Sequence, residues 1–211
     1  MKRGLFITFE GIEGSGKTTQ HRLLCEELER RGLPVIAVRE PGGTAIGDRV
    51  REIVLAPQLA EMTAEAEALL YAASRSQLVH QVIEPALKAG KVIVCDRYLD
   101  SSIAYQVYGR GLDVDFVLNA NRAARAVPPR ITFLVEIDVE TGLARATEAT
   151  ADRIEQLGID FHRRVAEGYG KIAASEPSRF RIVDGSLPVE ELRAIIIAEV
   201  ESEFEAAGLD L

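Results

Sequence analysis

The chain has 211 residues, 47% of them hydrophobic and 27% charged, with 33 acidic against 25 basic side chains for a formal net charge of −8. This predicts one compact domain over 1–211 with a mobile insert, able to bury roughly 70% of its unfolded surface without a staple, and the acidic balance excludes general duplex binding while leaving room for a local basic pocket. The 2 cysteines lack CxxC or metal spacing and read as buried thiols of a reducing compartment, and no apolar run is long enough for a signal-peptide core or a membrane span, so a cytoplasmic protein is expected.

The first apolar run, Leu5 to Phe9, predicts a strand, and the amphipathic stretch that ends at Arg31 predicts a helix starting near Lys17. Between them GIEGSGKT fits GxxxxGK[ST] in the strand, loop and helix context that gives this motif its meaning. Gly11 and Gly16 permit a tight bend, so that backbone N–H groups from Glu13 to Thr18 converge on a phosphate at the positive end of the helix. Gly11, Ile12, Glu13, Gly14, Ser15, Gly16, Lys17, Thr18 and Thr19 are therefore the expected cradle for ATP. In it Lys17 bridges the β- and γ-phosphates, and the Thr18 hydroxyl suits Mg2+.

Further strands are predicted at Val35 to Val38, Val92 to Cys95, Ile131 to Ile137 and Phe180 to Val183. Helical periodicity marks Ile46 to Leu55, Ala64 to Ala89, Ser101 to Tyr108, Val114 to Ala126, Val139 to Ala146, Phe161 to Ser175 and Val189 to Ala206. Such alternation implies a parallel sheet covered on both faces, with ligands beyond the carboxyl ends of the strands. Those ends deliver Arg39-Glu40-Pro41-Gly42-Gly43-Thr44, then Asp96-Arg97-Tyr98, then Asp138 with a helix leading to the polar stretch Thr147 to Asp152 and Arg153. His21, His80 and His162 fall in helical patterns without metal spacing and read as helix-surface residues.

The strings NKxD and DxxG of a GTPase switch are absent, and the strand VIVC ends in Asp96-Arg97 rather than the Asp-Glu of a water-activating motor ATPase. An aspartate that holds Mg2+ next to an arginine that meets an acceptor phosphate suits a small-molecule kinase. The polar stretch around Thr147 to Gly158 reads either as a lid that closes over the reaction or as a solvated loop. A regulatory subunit that binds ATP without an acceptor is the rival class, and the paired arginines Arg51 and Arg97 would then have no purpose.

FEGIEGSGKTTQ, REPGGT, EALLYAASRSQL, DRYLDSSIAYQVYGRG and DRIEQ, in this order along the chain, resemble the bacterial thymidylate kinases, P-loop enzymes that convert dTMP to dTDP with ATP and Mg2+. The resemblance implies an α/β three-layer sandwich with a five-stranded parallel sheet in the order 2-3-1-4-5, a lid at about 145–158 and a homodimer, with neither a nucleic-acid polymer nor a membrane as partner. It also implies that Arg51 and Arg97 hold the dTMP phosphate, with Glu40 ordering Mg2+ or its waters beside Thr18 and Asp96. Tyr71 would stack on thymine, and Arg75, Ser102 and Gln106 would face the base. Tyr105 would sit against the sugar and Glu13 would accept from the 3′-hydroxyl. From the residues alone, Arg51 and Arg75 read equally as solvated charges and Tyr71 as a core aromatic. Relatives carry an arginine for the transferring phosphate either in the phosphate loop, where this chain has Gly14, or in the lid, where Arg153 in DRIE is favoured and Arg145 is the alternative.

Overall fold

The computed structural model describes residues 4–146, 152–206 and 208. Five strands, β1 (Phe6–Glu10), β2 (Val35–Arg39), β3 (Val92–Asp96), β4 (Ile131–Glu136) and β5 (Phe180–Asp184), form one sheet in the order β2-β3-β1-β4-β5. Every pairing is parallel, and the order is the expected one. Strands β1 and β3 are buried along their whole length, which is why they read as largely apolar runs.

Alternate side chains divide between the two faces. Ile7, Phe9, Val94 and Phe133 point to one face, where Leu24 and Leu28 of α1 (Lys17–Arg30) and Ile196, Val200 and Phe204 of α10 (Val189–Ala206) cover them. On the other face Phe6, Ile93 and Cys95 meet Leu78 of α3 (Ala64–Leu78) and Leu87 of α4 (Glu84–Lys88), while Leu134 meets Val165 and Tyr169 of α9 (Ile159–Ser175). Both cysteines are free and buried. Among the described residues no helix is long and apolar enough to cross a membrane.

Three predicted helices are not uniform. The run expected over Ala64 to Ala89 is α3, a π-helical turn at Val79–Ile83, then α4. Pro85 lacks the N–H that would bond four residues back, so the ladder widens ahead of it and the Glu84 N–H reaches Val79 O instead. The run expected from Ser101 to Tyr108 starts earlier, as α5 (Leu99–Ser102), and continues as a π-helical segment at Ile103–Gly109. The run from Val114 breaks at Asn121 into α6 (Val114–Ala120) and α7 (Arg122–Arg125). There Asn121 turns its amide back on Val117 O at 2.9 Å, competing with the helix ladder. Between β2 and α3 lies α2 (Ala45–Leu55), and α8 (Val139–Ala146) precedes the expected lid, of which 147–151 lie outside the described residues.

Candidate active site

The strands end at one edge, and a cavity of about 360 Å3 opens there. Glu13 and Gly14 of the glycine-rich loop line it together with Lys17 and Thr18 at the start of α1. Gly16 takes a left-handed φ of 93° as the residue before α1, with no side chain capping the helix, so the first amides of α1 stay available. Gly14, at φ 67°, lies so close to α8 that a Cβ there would sit 2.0 Å from Gly142 O and 3.1 Å from Arg145 Cβ. The packing of α8 therefore explains why this position holds no arginine.

Lys17 is buried and donates to Ile12 O at 2.9 Å. Burial, together with Arg97, pushes its ammonium down to about 8 against the pull of Asp96, Glu13 and Glu10. Thr18 Oγ1 donates to Asp96 Oδ2 at 2.6 Å, and Asp96 Oδ1 is buried without a partner. A hydroxyl and one orphaned carboxylate oxygen are a donor set that fits Mg2+, which takes few protein ligands and completes its shell with phosphate and water. No group of three or more His, Cys, Asp or Glu gathers as a metal cage among the described residues.

Glu40 lines the cavity beside Arg75. Its Oε2 accepts from Arg75 Nε in a pair whose two side chains are each 2% exposed. Oε1 is buried and unpartnered, and burial pushes the carboxyl up to about 7 despite the arginine. The Arg75 guanidinium is thus the immediate partner of Glu40.

Helix α3 sends Glu67, Tyr71 and Arg75, spaced by one turn, toward the cavity, which Tyr71 and Arg75 line. Arg75 is not a solvated charge. Besides Glu40 it bonds Ser102 Oγ at 2.7 Å, Asn121 Oδ1 and, through Nη2, Tyr98 O at 3.0 Å. With five N–H groups and four bonds, it keeps one Nη2 hydrogen for a ligand.

Arg97 holds a left-handed φ of 68°, alone among the described non-glycine residues. Its guanidinium lies 5.1 Å from the centre of the Tyr105 ring and donates to Gly11 O at 3.0 Å and Glu13 Oε1 at 3.1 Å. Tyr105 Oη donates to the same Glu13 oxygen at 2.6 Å. Glu13 Oε2 is buried without a hydrogen bond, 3.4 Å from His162 Nδ1. Burial alone would raise the Glu13 carboxyl, but His162, Arg97, Lys17 and Tyr105 hold it well below its ordinary value. His162 is fully buried, against the surface expectation, whereas His80 is exposed and half-buried His21 reaches Val94 O at 3.0 Å.

Arg51 lines the cavity and donates only to Pro41 O, at 3.1 Å. Exposed Arg39 lines it too, a residue that sequence reasoning passed over although it opens the Arg39 to Thr44 loop. Ser102 and Gln106 are buried in the wall although the π-helical turn between them is not the α-helical spacing expected.

Both lid candidates lie among the described residues. Arg153 is 5% exposed and spends its guanidinium on Glu67 Oε2 at 2.6 Å and Val54 O at 2.8 Å. Arg145 is exposed, touches Gly185 O at 3.1 Å and belongs to the helix that covers Gly14. A second cavity of about 490 Å3, beside the ends of β4 and β5, is lined by Gly11 and Ile12 of the loop and by Glu136, Asp138 and Asp184, and by no cation.

Comparison with known proteins fits this geometry. The family model described as thymidylate kinase matches residues 9–196. The chain belongs to the thymidylate kinase family. It is 47% identical over 207 residues to the thymidylate kinase of Pelotomaculum thermopropionicum, covering 97% of this chain and 96% of that protein. It is 48% identical over 205 residues to that of Geotalea uraniireducens, covering 93% and 96%. The crystal structure of the thymidylate kinase from Ehrlichia chaffeensis superposes with a TM-score of 0.78 at 32% identity, covering 94% of this chain and 99% of that one.

The depressed Lys17 has a measurable consequence. The unfolded chain keeps this lysine charged up to its ordinary 10.5, while the free folded protein releases the proton near 8. The unfolded state therefore binds more protons between those values, and the cost of burying Lys17 shrinks as pH rises through them. A triphosphate beside Lys17 restores its charge, so ATP binding should take up protons increasingly between about pH 7 and about pH 9. Titration calorimetry in buffers of different ionisation enthalpy should show this uptake in the native chain and lose it in Lys17→Met; equal uptake in both would sink the assignment.

Proposed function

We propose that this chain transfers the γ-phosphoryl group of ATP to dTMP, giving dTDP and ADP. The observation that carries the reading is the division of labour among the cavity's cations. Lys17 and Arg51 are held only by neutral carbonyls, Ile12 O and Pro41 O, which a phosphate displaces without stranding a carboxylate. They approach the cavity from different elements, α1 and α2, as two separate phosphate groups require. Arg97 joins them with an Nε that bonds no described residue.

Lys17 and the loop amides receive the triphosphate, and Arg51 and Arg97 receive the acceptor phosphate bidentately. Thr18 and Asp96 would hold Mg2+, which when bound neutralises phosphate charge. No general base is needed, because transfer depends on positioning and charge. Tyr71 stacks on the base, with Arg75, Ser102 and Gln106 at its edge. Tyr105 closes on the sugar, and Glu13, which lines the cavity and holds the Tyr105 hydroxyl, accepts from the 3′-hydroxyl. Arg145 is the lid cation for the transferring group, and 1–211 acts as one cytoplasmic kinase domain with its lid at about 145–158. Exposed Ile46 and Ile53 on α2, Leu69 on α3 and Val114 on α6 lie on elements packed side by side, α2 on α3 and α3 on α6, and support a homodimer through that face.

With ATP and Mg2+, coupled ADP release should favour dTMP over dCMP, dGMP and thymidine, with residual dUMP turnover because one methyl group is worth roughly 1–3 kcal/mol. Tyr71→Ala should raise the KM for dTMP roughly 5- to 150-fold, the equivalent of a lost stack; preference for another acceptor would remove the base-site roles while leaving the kinase chemistry.

Arg145→Ala should lower turnover by about 100- to 1000-fold with little change in the KM for dTMP. Arg153→Ala should instead lower unfolding stability by on the order of 3 kcal/mol, because it leaves a buried carboxylate short of a partner. Denaturation and steady-state kinetics on both variants decide between them, and the reverse pattern would return the role to Arg153.

Leu69→Lys should turn a dimer into a monomer by sedimentation equilibrium. A monomeric native chain would contradict the proposed face.

A further inference from the structure

Glu67, in the first turn of α3, is completely buried. Four donors fill its carboxylate. Oε1 accepts from Gln106 Nε2 at 3.1 Å and Arg110 Nε at 3.2 Å, and Oε2 accepts from Arg110 Nη2 at 2.7 Å and Arg153 Nη2 at 2.6 Å. Burial alone would raise this carboxyl, but hydrogen bonds and charge from Arg110, with Gln106 and Arg153, hold it below its ordinary value.

An ionised carboxylate only accepts. Of the two ends of the Gln106 amide, only the NH2 is therefore compatible with Glu67, and the opposite end, Oε1, is turned away. That oxygen accepts from no described residue, and Gln106 lines the cavity. A free glutamine amide turns over to suit either a donor or an acceptor, so by itself it is a poor discriminator. The Gln106 backbone is fixed as well, since Leu112 N donates to Gln106 O at 3.0 Å across the wide turn. Nearby in the same wall, Arg75 keeps one Nη2 donor. The wall thus presents one acceptor and one donor of settled identity.

We propose that Glu67 is a specificity-determining positioning residue: by fixing Gln106 as an acceptor, it selects a pyrimidine that offers a ring N–H and rejects one that offers a ring lone pair. The proposal rests on reading the cavity as a pyrimidine nucleotide site. Thymine and uracil present N3–H beside the O4 carbonyl, matching Gln106 Oε1 and the Arg75 N–H. Cytosine presents N3 as a lone pair beside an amino group, which inverts both and leaves buried polar groups unpaired.

The test is kcat/KM for dTMP, dUMP and dCMP in the native chain, in Glu67→Gln and in Gln106→Leu. A neutral amide at 67 can donate as well as accept, so Gln106 is released to turn over. Glu67→Gln should then cut the dTMP to dCMP ratio by at least about tenfold, with dCMP efficiency rising in absolute terms, while the dTMP to dUMP ratio stays constant because both share one ring edge. A role confined to stability would lower all three substrates together. Glu67→Gln that melts like the native chain and keeps the full dTMP to dCMP ratio overturns the proposal. Where Glu67→Gln fails to fold, Gln106→Leu decides: loss of discrimination supports it, and retained discrimination overturns it. A native chain that binds ATP but does not act on dTMP would defeat the functional reading itself. A native chain that prefers dTMP over dCMP, with unaltered ratios in the variants, would defeat only the role of Glu67.

Discussion

Glu10 ends the central strand with a carboxylate sealed from water, and donors from two other elements converge on it: Tyr98 N at 2.7 Å, Ser101 Oγ at 2.6 Å, Ser101 N at 3.3 Å and Tyr169 Oη at 2.9 Å. Tyr98 precedes α5 and Ser101 lies within it, while Tyr169 belongs to α9, so one side chain ties the edge of the sheet to the elements that follow Arg97 and face Tyr105. Burial and the neighbouring Asp100 push the Glu10 carboxyl up, and the hydrogen bonds offset part of that cost. The left-handed Arg97 backbone costs about 1–3 kcal/mol and persists only where its surroundings over-determine it. Residues on its C-terminal side are anchored to Glu10, and its own N–H donates to Phe9 O at 2.9 Å. The strained turn is thus pinned on both sides, and it points a half-buried guanidinium at the phosphate loop.

An acidic chain that must receive polyanions faces a second constraint. The cavity wall carries Lys17, Arg39, Arg51, Arg75 and Arg97, but also Glu13, Glu40, Asp96, Asp152 and Glu155. Buried cations need partners before a ligand arrives, and a carboxylate partner competes with the ligand it prepares for. The fold separates the two duties. Arg75 is locked by Glu40 and serves as a frame, whereas Lys17 and Arg51 rest on neutral carbonyls, which a phosphate would displace without stranding a carboxylate. Arg97 does both, with Nη2 on Glu13 and an Nε that bonds no described residue. The result is preorganisation without a large net field.

Whatever depended on local spacing was legible in the sequence. The phosphate loop and the strand ends followed from short strings and from alternation of strand and helix, whereas the strand order came only with the resemblance to thymidylate kinases. The loop's missing arginine was visible as Gly14, though its cause, the approach of Gly142, was not. Partnerships between distant residues were illegible: Arg153 reads as a free lid cation until Glu67, far away in sequence, is seen to hold it. Arg75 reads as a solvated charge until Glu40, Ser102 and Asn121 close around it. His162 reads as surface because helical periodicity locates a face but not what packs on it, and here that face meets Glu13. The π-helical turns were hidden for a related reason, since only Pro85 announces one of them.

The turn at Ile103–Gly109 is held from outside. A Cβ on Gly109 would meet the Phe161 ring at 2.7 Å, and a Cβ on Gly168 would meet the Tyr108 ring at 2.7 Å. Each element thus offers a glycine to an aromatic ring of the other, so α9 and the π-helical segment approach more closely than two ordinary helices. Tyr105 and Gln106 ride on that segment. Because the widened turn lacks the regular ladder that stiffens an α-helix, its side chains keep their aim through contacts on either side: Phe161 and Tyr169 against the Tyr105 ring, Glu13 on its hydroxyl and Glu67 on the Gln106 amide. Close packing by α9 is what makes an irregular helix a rigid wall for the site.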